Sequence, residues 1–137
     1  MEVTKRIEFE CCYVYKGDIH AHRYKLEVTV QGPQRYSDQG VVLSFDELSN
    51  YMKQAVPDKA FIYWIKDAAG VYISKAFNEY NYKTLGCDFP ISAENICAFL
   101  AANLQDTLNV REPGILIVEL KLREDNNSFV SWKKEIG

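Results

Sequence analysis

KGDIHAHRYKLEVTVQGP, residues 16–33, decides the fold. From His20 onward the residues alternate strictly: His20, His22, Tyr24, Leu26, Val28 and Val30 share one face, and Arg23, Lys25, Glu27, Thr29 and Gln31 share the other. A period of two with an apolar and a charged side is the mark of a half-buried strand. The Gly and Pro of GPQRYSDQG end it. Upstream, residues 5 to 15 repeat the pattern, with Ile7, Phe9, Cys11, Tyr13 and Tyr15 set against Arg6, Glu8 and Glu10. The turn at KGD folds the two runs into an antiparallel hairpin. Both histidines therefore lie on the apolar side. Two imidazoles spaced i, i+2 on a strand point the same way and can converge on one ion, but zinc takes three or four protein ligands, so the pair alone is a weak signal.

Outward from this hairpin, SFDELSNYMKQAV opens with Ser44 and carries Glu47 three residues on, the capping-box pattern of a helix start. ISAENICAFLAANLQDTL repeats the device, with Ser92 as N-cap and Ile96, Phe99, Leu100 and Leu104 as one apolar stripe. Between the helices, residues 57–90 hold FIYWI, VYISKAF and YKTLGCDFP, which read as short strands and a helix in no settled order. At the C-terminal end GILIVELKLRED and SFVSWKKEI form a second hairpin over DNNS, whose Asn and Asp tolerate left-handed backbone. Alternation there puts Leu116, Val118, Leu120, Leu122 and Glu124 on one face, so a carboxylate ends an apolar row. Such a carboxylate either meets solvent at a strand end or pairs with the N–H edge of a flat, guanidine-like heterocycle through two charge-assisted hydrogen bonds.

The 137 residues, 47% hydrophobic and 26% charged, fit one domain spanning 1–137 with a proper core. A net charge of -3 without a clustered basic face gives no reason to expect a nucleic-acid partner. No run approaches the roughly 18 apolar residues of a membrane span, and the start MEVTKRIEFE has no signal-peptide stretch, which predicts a cytosolic chain. Cys11, Cys12, Cys87 and Cys97 lack C-x-x-C spacing and read as free thiols, with Cys12 on the polar face, Cys87 in a loop and Cys97 on a helix.

Placed in order, these segments resemble the 6-pyruvoyltetrahydropterin synthase and 6-carboxytetrahydropterin synthase family over nearly the whole chain. HAHRYKLEVTVQGP is similar to the family's H-G-H-x-Y strand, DQGVVLSFDELSNYM to D-x-G-M-V-x-D-F-x-x-L, and PDK to L-D-H. FPISAENICAFL is similar to P-T-x-E-N with its helix, and LKLRED to the strand that ends in Glu. The resemblance implies an α+β tunnelling fold: a four-stranded antiparallel sheet with two helices inserted between its second and third strands. It further implies assembly edge to edge into a multimeric barrel, a homo-trimer or homo-hexamer.

The family's site residues carry over unevenly. Its zinc is held by three histidines, its base is a cysteine, an Asp-His pair assists proton transfer and a glutamate anchors the pterin. His20 and His22 match the H-x-H ligands, Glu124 the anchor, Glu94 the glutamate of the P-T-x-E-N block, and Asp58 the aspartate of the pair. Tyr13 stands where the third zinc histidine falls, Lys16 where the cysteine falls, and Lys59 where the histidine of the Asp-His pair falls. Zinc is thus the candidate cofactor, with its third ligand either missing or supplied by Cys11 after a shift of one residue pair, about 6 to 7 Å along the strand.

Three functions follow. One is a lyase-type pterin synthase of tetrahydropterin or queuosine biosynthesis with altered proton transfer. Another is a catalytically silent paralogue that binds a pterin or purine-like ring or joins active subunits. The last is a metal-free acid-base enzyme in which Lys16, Lys59 and Tyr13 replace zinc, which needs burial or mutual repulsion to bring the lysines toward neutral pKa.

Overall fold

The computed structural model describes residues 1–32, 43–125 and 127–135. The loop reading of GPQRYSDQG beyond Gly32, and the first residues of DQGVVLSFDELSNYM, lie outside the described residues. The N-terminal hairpin is as the alternation requires: β1 (Glu2–Tyr15) and β2 (Asp18–Gln31) pair antiparallel in unbroken register from Glu2↔Gln31 to Tyr15↔Asp18. Their two-residue turn has φ of 51° at Lys16 and 82° at Gly17. Two successive left-handed residues give the twist that suits a tight hairpin, and the first of them is a lysine.

On one face of the hairpin Ile7, Phe9, Cys11, Tyr13, Tyr24, Leu26, Val28 and Val30 are buried. Phe9 and Tyr24 stack with ring centroids 5.3 Å apart. That face is covered by α1 (Phe45–Ala55) through Leu48 and Met52. The capping box is formed: the Ser44 hydroxyl accepts from Glu47 N–H at 3.1 Å and donates to the Glu47 carboxylate at 3.0 Å. On the other face Arg6 meets Glu27 at 2.7 Å and Arg23 meets Glu10, exposed pairs that water and salt screen.

Residues 57–90 resolve into β3 (Ala60–Trp64), α2 (Ala68–Glu79) and β4 (Thr84–Cys87). They are followed by α3 (Ala93–Arg111), β5 (Leu116–Arg123) and β6 (Phe129–Lys133). The sheet order is β4-β3-β1-β2-β5-β6, with β3 parallel to β1 and β4 parallel to β3. Four antiparallel strands, β1, β2, β5 and β6, therefore form the expected sheet, and a parallel pair extends it beyond β1 to six strands. The third helix is α2, and it packs on the face opposite α1 and α3. Phe61 stacks on Phe77 of α2 at 4.9 Å, whereas Ala60 and Ile62 join the main core. At the contact with β3, a Cβ on Gly70 would meet Tyr63 Cβ at 3.0 Å, tighter than an ordinary side-chain contact, so glycine suits this close approach of helix and strand. Cys87 is not in a loop: it ends β4 and is buried.

The Ser92 N-cap of α3 accepts from Asn95 N–H at 3.1 Å, and Ile96, Leu100, Leu104 and Leu108 pack into the core. One strand reading needs correction. The β2–β5 register shifts between Thr29 and Val30, which pair with Glu119 and Ile117 and leave Val118 as the extra residue of a bulge. A bulge reverses the side-chain parity on one side of it. Ile117, Leu120 and Leu122 are therefore buried together, while Leu116 is 38% exposed and Val118 only half-buried. The Gln105 side chain braces this irregular stretch, accepting from Ile117 N–H at 2.8 Å and donating to Ile115 C=O at 3.1 Å.

Candidate functional site

Beyond the helices, the ends of β1, β2 and β5 are left uncovered, and the core face continues as a row of polar aromatic side chains. Tyr13 lies opposite His20 and Cys11 opposite His22 in the register. The rings of His20 and His22 are 6.1 Å apart and nearly parallel, and Tyr13 sits 5.8 Å from each. Tyr24 is wholly buried, and its hydroxyl donates to the Glu124 carboxylate at 3.3 Å. The phenols of Tyr13 and Tyr24 also influence each other, so Tyr13, Tyr24 and Glu124 form one polar cluster on the core face of three strands. Burial, the main cause, pushes both phenols above the usual tyrosine range, so both stay neutral and able to donate.

Glu124 follows the last residue of β5 on the side of Leu120 and Leu122. Its N–H donates to Ser128 C=O at 3.3 Å, and Asp125 shapes the turn by accepting from Asn127 and Ser128 N–H at 2.7 and 2.8 Å. The half-buried Glu124 opens onto a cleft of about 370 Å³ with Tyr13, Tyr15, Glu94 and Phe129. The two glutamates that the sequence singled out, far apart in the chain, meet here. Glu94 enters from the first turn of α3, where a carboxylate also suits the helix dipole.

The other candidates lie elsewhere. Lys16 is in the exposed hairpin turn, its ammonium 5.3 Å from the Tyr15 ring centre. The Asp58 carboxylate accepts from Glu10 N–H at 2.9 Å, and Lys59 N–H donates to Glu10 C=O at 2.6 Å. Together they clamp the entry of β3 to the edge of β1. Lys59 opens onto a different cleft, on the opposite face of the sheet.

The donor set does not fit a three-ligand zinc centre. Among the described residues no three His, Cys, Asp or Glu side chains gather as metal donors. The third neighbour of the two imidazoles is a neutral phenol. Cys11 already faces His22 across the hairpin, but burial, its largest influence, pushes the thiol up to about 12, away from the thiolate a metal binds.

Comparison with known proteins fits this geometry. The sequence profile of the 6-pyruvoyl tetrahydropterin synthase family matches residues 2–135. The chain belongs to that family. It is 25% identical over 144 residues to 6-carboxy-5,6,7,8-tetrahydropterin synthase of Haemophilus influenzae, covering 97% of this chain and 99% of the relative. To 6-pyruvoyl tetrahydrobiopterin synthase of Pongo abelii it is 29% identical over 122 residues, covering 85% and 67%. Among solved structures, an uncharacterized protein of Wolinella succinogenes superposes with a TM-score of 0.77 at 15% identity over 98% of both chains. A catalytic-residue mutant of 6-pyruvoyltetrahydropterin synthase from Plasmodium vivax gives 0.67 at 15% identity over 99% of both. The tunnelling fold is therefore established for this family member. Tyr24 was not singled out as a site residue from the sequence, although it closes the H-x-H-x-Y motif, and a buried tyrosine on a strand face always needs a partner for its hydroxyl.

Proposed function

We propose that residues 1–137 act as one pterin-synthase-like unit that binds a pterin or purine-like ring in the Glu124 cleft, with the family's zinc and cysteine chemistry impaired. The observation that carries this reading is the convergence of Glu124, Glu94 and Tyr13 on one cleft, with the buried Tyr24 hydroxyl holding Glu124 from behind. A carboxylate held by a buried hydroxyl offers its remaining lone pairs to the amino and ring N–H groups of a 2-amino-4-oxo heterocycle, and each such bond is worth about 1.5–3 kcal/mol when shielded from water. The names of the relatives support a pterin as the ring. The proposed setting is cytosolic, in keeping with four free thiols, and no helix among the described residues is long and apolar enough to cross a membrane.

Standard synthase turnover needs a base and an electrophile together, and neither Lys16 nor Lys59 enters this cleft within one chain. Little activity on dihydroneopterin triphosphate is expected. The metal-free acid-base reading keeps one observation in its favour, the neutral Tyr13 phenol on the Glu124 cleft, and it requires a neighbouring subunit to bring in a lysine. The proposed assembly, a trimer or hexamer, would use the sheet edges β4 and β6, which a lone chain leaves unpaired. Calorimetric titration with neopterin, biopterin and guanine tests the central claim. Glu124→Gln presents a donor to a donor and should weaken binding about tenfold to a hundredfold. Equal affinity in the two proteins, or no binding by the unmodified chain, would remove it.

A further inference from the structure

The larger of the two clefts described here belongs to the other face of the sheet. It measures about 510 Å³, within the range of small-molecule sites. Its floor is aromatic: Phe61, 1% exposed, stacks on Phe77 at 4.9 Å, and Tyr82 meets Phe77 edge-on at 5.8 Å. The half-buried Cys12 completes the floor beside Phe61. Its rim is cationic. Arg23, Lys59 and Lys83 line it with a single carboxylate, Glu10, and that carboxylate already accepts from Arg23 at 3.0 Å. Neither Lys59 nor Lys83 has a carboxylate within salt-bridge distance among the described residues.

Two features mark this cleft as built rather than incidental. A chain of net charge -3 gathers an excess of cations around one apolar hollow. Lys59 also holds a φ of 54°, a conformation that costs a non-glycine residue about 1 kcal/mol or more, and it is kept there by the Asp58 and Lys59 bonds to the Glu10 backbone. The clamp fixes the point at which the Lys59 side chain leaves the backbone at the cleft's rim.

We propose that this second cleft binds a flat aromatic ring carrying an anionic group, with the ring lying against Phe77 and Tyr82 over the buried Phe61 and the anion between Lys59 and Lys83. The aromatic floor selects a flat ring by stacking, and the two exposed lysines attract the charge through an interaction that added salt weakens. The site is separate from the Glu124 cleft and does not depend on the pterin reading.

The test uses 2-naphthoate and its neutral counterpart 2-naphthylmethanol as probes, followed by calorimetry and by amide shifts in the intact chain. Saturable one-to-one binding of 2-naphthoate is expected, with shifts centred on Cys12, Phe61, Phe77 and Lys83. The neutral probe should bind at least about tenfold more weakly, and so should 2-naphthoate to the double variant Lys59→Gln, Lys83→Gln. Both lysines are exposed, so that variant keeps its fold, which an unchanged melting temperature to within a few degrees verifies. Glu124→Gln should leave the affinity unchanged. Shifts centred on Tyr13 and Glu124, equal affinity for charged and neutral probes, indifference to the lysine substitutions, or no saturable binding at millimolar probe would each overturn the proposal.

Discussion

Tyr13→His asks whether a single side chain separates this site from a metal centre. Tyr13 is 6% exposed, lies opposite His20 and sits 5.8 Å from both imidazoles. The substitution puts a third imidazole on the same face, within the 4.5–5.5 Å Cβ spacing of directly opposed residues. Without metal it should destabilise. Part of a buried aromatic ring is lost and a polar imidazole takes its place, together about 2 kcal/mol. For a chain of this length that lowers the melting temperature by roughly 6–10 °C. Zinc at a hundred times its dissociation constant contributes about 2.7 kcal/mol and should reverse the loss. The assay is thermal melting of both proteins in chelator and in zinc, with zinc content measured after dialysis. The variant should retain about one zinc per chain and the unmodified protein far less. If the unmodified protein holds a full equivalent, the phenol does not prevent coordination. If the variant holds none, the three positions do not converge as the register implies.

The bulge at Val118 predicts that Ile117→Ala costs about 2–4 kcal/mol in urea unfolding while Leu116→Ala costs under about 1; equal effects would restore plain alternation through Leu116. Lys16→Asn should stabilise by about 0.5–1 kcal/mol, because asparagine tolerates left-handed backbone better than lysine ahead of Gly17; an unchanged or lower urea midpoint would argue against this turn geometry. Burial foremost pushes Cys11 to about 12 and Cys97 to about 11, above an unfolded value of 9.0. The folded state therefore keeps protons that the unfolded chain sheds, so stability is fully present below about pH 9 and falls between about 9 and 11, by up to about 1.4 kcal/mol per pH unit per thiol. Urea midpoints that stay level across that window would show these thiols are not buried as described.

What the sequence made legible followed from local periodicity. The β1–β2 hairpin, the Ser44 and Ser92 caps and the β5–β6 hairpin each announce themselves within a dozen residues. The parallel pair β3–β4 does not, because Phe61 is buried against α2 while Ile62 is buried in the main core, so their run shows no alternation to read. VYISKAF was ambiguous for a related reason: α2 covers only the end of the sheet, and it leaves Tyr72 and Tyr80 at 78% and 75% exposure, which blurs its apolar stripe. The Val118 bulge was invisible because its cause is the register with β2 and the bracing by Gln105, both long-range.

For the site, position in a motif and position in space separated in an informative way. Glu94 and Glu124 were read as ring-binding residues and share a cleft; Lys16 and Lys59 were read as stand-ins for catalytic groups and point elsewhere. Tyr13 is the exception, a replacement that stays at the site, and its chemistry explains why it can. A phenol is large enough to fill the space beside two imidazoles and apolar enough to be buried at 6% exposure, on the face that Tyr24 and Glu124 share. A histidine there would serve a metal. The tyrosine instead puts a neutral aromatic wall on the cleft that Glu124 opens onto, so the exchange that weakens the metal site suits the binding of a flat ring beside the carboxylate.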